Sequence, residues 1–211
     1  MWVKICGITN EEDALLATAL GADAIGFVFA PSTRQIAPGL ARDIAQRLPP
    51  DMLTIGVFRN DAAQRVVGMC TTAGLRGAQL HGQETPADTR FVRGHLPVVI
   101  KAFAAGDPGL DTADSYVADA IMVDSPIPGS GEVFDWSLAE GAPLHRRVIL
   151  AGGLTPENVA EAARRVRPYA LDVSSGVESA PGKKDTSKVR AFIKAAKGAT
   201  ARIPRWSGYL G

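Results

Sequence analysis

The stretch Val148-Ile149-Leu150-Ala151-Gly152-Gly153-Leu154-Thr155-Pro156-Glu157-Asn158 carries the fold in miniature. A short apolar run closed by glycines has the length and content of a strand covered on both faces. Thr155 followed by Pro156 then supplies an N-cap with proline at the first helical position. The helix expected over 157–167 places Val159, Ala162, Ala163 and Val166 on one face and Arg164, Arg165 and Arg167 mostly on the other. The unit is a strand, a glycine turn and an amphipathic helix.

The same unit recurs outward in both directions. Further strands are expected at 3–8, 24–29, 53–58, 78–81, 98–103, 120–124 and 170–174, beside the one at 148–151. Asn10-Glu11-Glu12-Asp13 caps the first helix with acids in its first turn, and Gly21 and Gly74 stand where the first and third helices should stop. Eight βα units share the 211 residues, about 25 each. Near-continuous apolar strands indicate a parallel sheet buried on both sides. Such units form either an open doubly wound sheet or a closed barrel. Eight nearly equal units, with no Gly-x-Gly-x-x-Gly after the first strand, favour closure. The expected fold is α/β, a single (β/α)8 TIM barrel of parallel strands over residues 1–200, with 201–211 as a C-terminal tail.

Composition agrees and narrows the function. Hydrophobic residues make up 46% and charged residues 21%, ordinary for a globular chain. Lysine plus arginine (23) against aspartate plus glutamate (22) gives a net charge of +1, too balanced for a general nucleic-acid or anionic-membrane surface. Two cysteines, Cys6 and Cys70, are too few for a disulfide scaffold. No apolar run reaches the roughly 18 residues of a membrane span, and the start has no signal-peptide pattern. A cytoplasmic protein that binds neither nucleic acid nor membrane is expected. A monomer is expected, with a homodimer left open.

Chemistry in such a barrel belongs at the carboxyl ends of the strands. Strand alternation puts Lys4 and Cys6 on one face, opposite Val3 and Ile5, and the apolar pair fits the helix side. Lys4 and Cys6 should therefore face the barrel interior. Gln79 and His81 share a face on strand four, and Asp124 closes strand six. A buried ammonium beside Cys6 would favour the thiolate, and Lys4 in turn needs an anion, which Asp172 on the neighbouring eighth strand can supply. The alternative for Cys6 is a small buried hydrophobe, and for His81 a hydrogen-bonded core imidazole. Strands seven and eight end in Gly152-Gly153 and Ser174-Ser175-Gly176, where glycine, hydroxyl and backbone amide form an anion nest at the usual phosphate seat of this fold. A phosphorylated small molecule is the expected ligand. Arg34, in Pro31-Ser32-Thr33-Arg34-Gln35, is either a solvated loop arginine or a lone cation serving as a fork for a substrate carboxylate. His81, His95 and His145 have no metal-ligand spacing, so no metal is expected. Cys70, in the helical Val66-Val67-Gly68-Met69-Cys70, reads as packing.

Several motifs together resemble the phosphoribosylanthranilate isomerase family. They are Lys4-Ile5-Cys6-Gly7-Ile8-Thr9, Gly26-Phe27-Val28-Phe29, Gln79-Leu80-His81-Gly82 and Gly131-Glu132-Val133-Phe134-Asp135-Trp136. With them go Gly152-Gly153-Leu154-Thr155-Pro156-Glu157-Asn158-Val159, Asp172-Val173-Ser174-Ser175-Gly176-Val177-Glu178 and Pro181-Gly182-Lys183-Lys184-Asp185. The resemblance runs from about Val3 to Lys197. It implies a (β/α)8 barrel of tryptophan biosynthesis that uses no cofactor or metal and carries out an Amadori rearrangement of phosphoribosylanthranilate. It implies Cys6 as general base and Asp124 as general acid, with Arg34 on the anthranilate carboxylate. It also places Gln79 and His81 beside the ribose, Asp172 on the ribose side, and Gly152, Gly153, Ser174, Ser175 and Gly176 around the phosphate.

Two places depart from the family pattern. Arg59 in Val57-Phe58-Arg59-Asn60 stands where an apolar residue is usual, at a position expected to lie outside the chemistry. The tail Ala201–Gly211 runs past the last barrel helix and reads as a surface or mobile segment. Other functions remain as rivals. A histidine-pathway aldose–ketose isomerase would want aspartate at Cys6, a non-catalytic phosphometabolite-binding barrel would not need Cys6 and Asp124 together, and a thiol redox protein would want Cys-x-x-Cys.

Overall fold

The computed structural model describes residues 1–126, 136 and 146–199. Within them eight parallel strands close in sequence order: β1 Trp2–Cys6, β2 Ala24–Val28, β3 Leu53–Phe58, β4 Gly77–Leu80, β5 Val98–Ala104, β6 Ala120–Asp124, β7 Val148–Leu150 and β8 Ala170–Val173. Outside them lie α1 Glu11–Ala19, α2 Pro38–Ala45, α3 Ala63–Ala73, α4 Pro86–Arg93, α5 Val159–Val166 and α6 Thr186–Gly198. A 3-10 turn, Pro108–Ser115, connects β5 to β6. The fold is the expected barrel. The motif at 131–135, most of the loop at 126–134, His145 and the tail 201–211 lie outside the described residues.

Strand alternation divides the apolar residues into two layers. Leu53, Ile55, Ile100, Met122 and Ile149 pack together inside the barrel, while Ile5, Ile25, Phe27, Leu80 and Leu150 pack toward the helices. Each such side chain contributes roughly 1.5–3 kcal/mol on burial, so the alternation pins every strand's register. Toward the carboxyl ends the inward positions turn polar: Lys4, Gln79, Asp124 and Asp172 are all buried.

Local chemistry accounts for the helix ends. Asn10 accepts from the Asp13 amide, Thr85 and Asp88 form a reciprocal capping box, and Gly74 ends α3 in the left-handed conformation. Cys70 packs on α3 with its thiol on the Gly77 carbonyl, and burial pushes that thiol up to about 12, an inert packing group.

The structure differs from expectation at several boundaries. β1 stops at Cys6 because Gly7 turns to φ +74°, and β8 stops before Ser174, which leads into a 3-10 turn at Ser175–Val177. α5 begins at Val159, two residues late. The Asn158 side chain is committed backward, accepting from the Thr155 amide at 2.8 Å and donating to the Gly153 carbonyl at 2.9 Å. Beyond β8 a small antiparallel hairpin, β9 Glu178–Ala180 and β10 Lys183–Lys184, was not expected. Its backbone is tied to α1 where the Lys184 amide donates to Asp13 at 2.9 Å.

A buried ion pair braces the opposite side of the mouth. Lys101 of β5 points away from the barrel interior, 2% exposed, and donates to Glu84 at 3.0 Å and to the Gly82 carbonyl at 2.6 Å. Glu84 also accepts from the Asn60 and Gly82 amides, so it stitches the β3 and β4 loops together. Burial pushes the Glu84 carboxyl up, but Lys101 and the Asn60 amide outweigh it and hold the group below the usual carboxylate range. Its contribution is therefore fully present at neutral pH and fades only as pH falls through that depressed value. Glu84→Ala leaves an unpaired buried ammonium and should destabilise the barrel by about 3–5 kcal/mol in urea unfolding at pH 7. An unchanged midpoint and slope would show that the pair braces nothing.

Candidate active site

The inward polar residues meet in one cleft at the carboxyl ends of the strands. Cys6, Arg34, Gln79, His81, Asp124, Gly152, Gly153, Asp172, Ser174, Ser175 and Gly176 all line it. Every residue singled out in the sequence for binding or catalysis is thus brought to the same wall or rim. Arg59, expected to lie outside the chemistry, also lines the cleft, because it directly follows the carboxyl end of β3.

Cys6 rests on a charged floor. β1 and β8 pair with Lys4 opposite Asp172, and Lys4 Nζ donates to Asp172 Oδ1 at 2.8 Å with no solvent exposure. Burial alone would lower the ammonium's pKa, but the raising causes, led by the Asp172 charge, outweigh it and the net direction is up, so Lys4 stays charged. Gly26 makes room above this floor. A β-carbon there would lie 2.8 Å from Cys6 Sγ and 3.1 Å from Lys4 Nζ. Lys4 pulls the thiol toward the thiolate, as expected, but it does not prevail. Desolvation raises the Cys6 pKa more than Lys4 lowers it, and Asp172 adds to the rise. The resting group is a dry, neutral thiol.

Asp124 ends β6 with its two oxygens divided. Oδ1 accepts from the Ser125 amide at 2.7 Å, and Oδ2 lies 3.1 Å from His81 Nε2. That second approach is close but poorly aligned, since His81 Nε2 has no hydrogen-bond partner among the described residues. Gln79 Nε2 meets His81 Nδ1 at 2.8 Å and fixes the ring plane. Gly152 adopts φ +84° beside this carboxylate, and a β-carbon there would come within 2.9 Å of Asp124 Oδ1. Gln79 Oε1 and Ser174 Oγ are likewise buried without a partner among the described residues, polar atoms of the kind a ligand satisfies.

The glycine loops abut one another. Any side chain on Gly176 would run into the Leu154 carbonyl, so the β7 and β8 turns stack backbone to backbone. Asn158, whose side chain holds the Gly153 carbonyl, was read in the sequence only as part of a helix start. Its asparagine at the fourth position of Thr-Pro-Glu-Asn was the available signal.

Arg34 is not the lone cation expected. Its Nε and Nη2 donate to the two carboxylate oxygens of Glu178, each at 2.8 Å, and Lys184 Nζ donates to the same carboxylate at 2.9 Å. No pattern in the sequence joins Arg34 to a residue 144 positions away.

Comparison with known proteins places this geometry. Residues 3–195 match the family model for N-(5'-phosphoribosyl)anthranilate (PRA) isomerase. The chain is 48% identical over 202 residues to the N-(5'-phosphoribosyl)anthranilate isomerase of Desulforudis audaxviator, covering 92% of this chain and 97% of that one. The crystal structure of the Thermus thermophilus phosphoribosyl anthranilate isomerase superposes with a TM-score of 0.88 at 46% identity, covering 95% of this chain and all of the other (100%). A further isomerase structure, described as a complex with reduced 1-(o-carboxyphenylamino)-1-deoxyribulose 5-phosphate, gives 0.82 at 41% identity over 94% of this chain and 99% of that one. Matched in fold and over nearly its whole length, the chain belongs to the N-(5'-phosphoribosyl)anthranilate isomerase family.

Proposed function

We propose that Cys6 is the general base and Asp124 the general acid of this cleft. The chain is an isomerase of tryptophan biosynthesis, converting N-(5'-phosphoribosyl)anthranilate into 1-(2-carboxyphenylamino)-1-deoxyribulose 5-phosphate. The observation that carries the assignment is the placement of a thiol and a carboxyl at the ends of β1 and β6, three strands apart in the closed order β6-β7-β8-β1, with the glycine turns of β7 and β8 between them.

The reaction then runs across the sugar. Asp124 in its acid form protonates the furanose ring oxygen, the C1–O bond breaks, and the nitrogen lone pair forms a C1=N iminium. Cys6 as thiolate removes the C2 proton, whose electrons form the C1=C2 bond of an enolamine. The C1=N electrons return to nitrogen as this forms; a proton is then added at C1 while the 2-hydroxyl loses its own to solvent, giving the C2 ketone. Arg34 receives the anthranilate carboxylate. Gly152, Gly153, Ser174, Ser175 and Gly176 hold the phosphate, with Asn158 fixing the Gly153 turn. Gln79, His81 and Asp172 face the ribose hydroxyls. No step calls for a cofactor or metal.

The large exposed apolar side chains among the described residues, Leu15, Leu40, Phe91 and Val117, sit on separate segments, which supports a monomer. Two buried free cysteines suit a reducing cytoplasm.

Two measurements test the chemistry. Cys6→Ser and Asp124→Asn should each keep the wild-type circular dichroism and lose about 10²–10⁴ in kcat, read from the decay of anthranilate fluorescence. Near wild-type turnover in either variant contradicts its role. Because burial outweighs Lys4, alkylation of Cys6 by iodoacetamide should have its midpoint above the ordinary thiol value, and the rising limb of kcat/KM should lie equally alkaline. Lys4→Met, which removes the one neighbouring charge that lowers the thiol most, should move the alkylation midpoint higher still. A midpoint at or below the ordinary thiol value in the wild-type protein would show that the ammonium, not desolvation, governs Cys6.

A further inference from the structure

The contacts of Glu178 have no use in acid–base chemistry, yet they are among the best formed in the molecule. Glu178 is 8% exposed and accepts three charged donors' worth of contact: Arg34 Nε and Nη2 at 2.8 Å each, and Lys184 Nζ at 2.9 Å. The cluster is two cations around one anion, a net positive charge at the cleft wall. Lys184, buried on β10, also donates to the Ser174 carbonyl at 3.2 Å, and Lys188 donates to the Glu178 carbonyl at 2.9 Å. One carboxylate therefore joins the β2 loop, which carries Arg34, to the β8 turn, which carries Ser174.

A guanidinium has more than one face that fits a carboxylate. The side-on face, Nε with Nη2, is the one Glu178 occupies. The end-on face, Nη1 with the second hydrogen of Nη2, remains for another carboxylate in the same plane. Which face points into the cleft is decided by the partner on the other. The stem of Arg34 is fixed as well. It lies over Gly7, where a β-carbon would come 2.6 Å from Arg34 Cδ and 2.7 Å from Ser174 Oγ, and Gly7 holds φ +74°. Without Glu178 the guanidinium would be a flexible loop cation, free to turn either face to the ligand or to solvent.

We infer that Glu178 is a positioning residue for carboxylate recognition: it clamps the side-on face of Arg34 so that the end-on face is presented to the aromatic acid end of the substrate, with Lys184 coupling that clamp to the phosphate turn. The inference rests on the assignment of Arg34 to the substrate carboxylate. Its substrate-class consequence is that ligands with a planar carboxylate are favoured over isosteres that lack it, and that this preference depends on a residue that does not touch the ligand.

The test is a double-mutant cycle in steady-state kinetics with phosphoribosylanthranilate, with thermal melts of each variant. Glu178→Gln, which keeps the size but removes the charge and one acceptor, should raise KM about tenfold while kcat changes by less than about threefold, the size expected for weakening one charge-assisted contact. Arg34→Ala should raise KM at least as far, and adding Glu178→Gln to it should cost nothing more, because the clamp has nothing left to hold. Glu178→Asp should recover part of the KM loss. An unaltered KM in Glu178→Gln, or additive losses in the double variant, overturns the positioning role while leaving Arg34 in place. An unaltered KM in Arg34→Ala instead overturns the assignment of Arg34 on which the inference rests. Should Glu178→Gln be too unstable to assay, Arg34→Lys keeps the clamp residue and the charge but has a single ammonium with no second face. Its KM should rise toward that of Arg34→Ala, and a wild-type KM there overturns the inference.

Discussion

A barrel closes only if its last strand pairs with its first, and at that seam this sequence sets a lysine opposite an aspartate. Lys4 and Asp172 face each other in register, 2.8 Å apart, with the ammonium wholly out of water. Removing either partner would strand a buried charge at a cost of about 3–5 kcal/mol, whereas an apolar pair of similar volume would hold the seam without charge. What the ion pair does, and an apolar pair would not, is hold a cation at fixed depth beneath Cys6. The rest of the mouth is arranged around it. Gly26 is small because the two β1 side chains fill its space, and Gly7 turns the chain away directly above.

The other buried charges follow the same rule of pairing, and their placement sorts the two ends of the substrate. Lys101 with Glu84 is neutral and faces away from the cleft, bracing the loops that carry Asn60 and His81. Arg34 with Glu178 and Lys184 is net positive and lies at the cleft wall. The turns after β7 and β8 offer glycine backbone and serine hydroxyls rather than side-chain cations. A phosphate dianion is well served by several converging amides, while a planar carboxylate is better served by a fork. On the proposed assignment, this division sets which way the substrate lies, and so which face of the sugar meets Cys6 and which meets Asp124.

Much of this was legible in the chain. Strand alternation put Lys4 and Cys6 inward, and the need of a buried ammonium for an anion pointed to Asp172 on the neighbouring strand, provided Ser174 also faced inward. The glycine turns were visible for the same reason: they fall at the strand ends where the fold keeps its loops. What sequence could not show were relations that depend on loop paths. Arg34 looks solitary until the hairpin after β8 brings Glu178 across from 144 residues away. Asn158 looks like a helix start until its amide is seen holding the Gly153 carbonyl. Arg59 was set aside on the family pattern, although it directly follows the carboxyl end of β3. The net direction of the thiol shift was hidden for a different reason. A neighbouring ammonium can be inferred from spacing, but the extent of desolvation depends on everything packed around the sulfur.

That desolvation bears on the order of events. A dry site penalises a thiolate in the free enzyme, so Cys6 rests as a neutral thiol despite Lys4. The same dryness strengthens attraction to any cation that forms nearby. In the proposed mechanism, ring opening by Asp124 creates such a cation, the iminium at C1, one bond from the carbon whose proton Cys6 takes. On that reading the thiolate, its proton released to solvent, is disfavoured before the acid step and stabilised after it. An exposed cysteine of ordinary acidity would carry more thiolate at rest, but water would screen it from the iminium and leave it open to oxidation. Burying the base makes its activation depend on the acid's success, which keeps proton removal from preceding the ring opening that makes it possible.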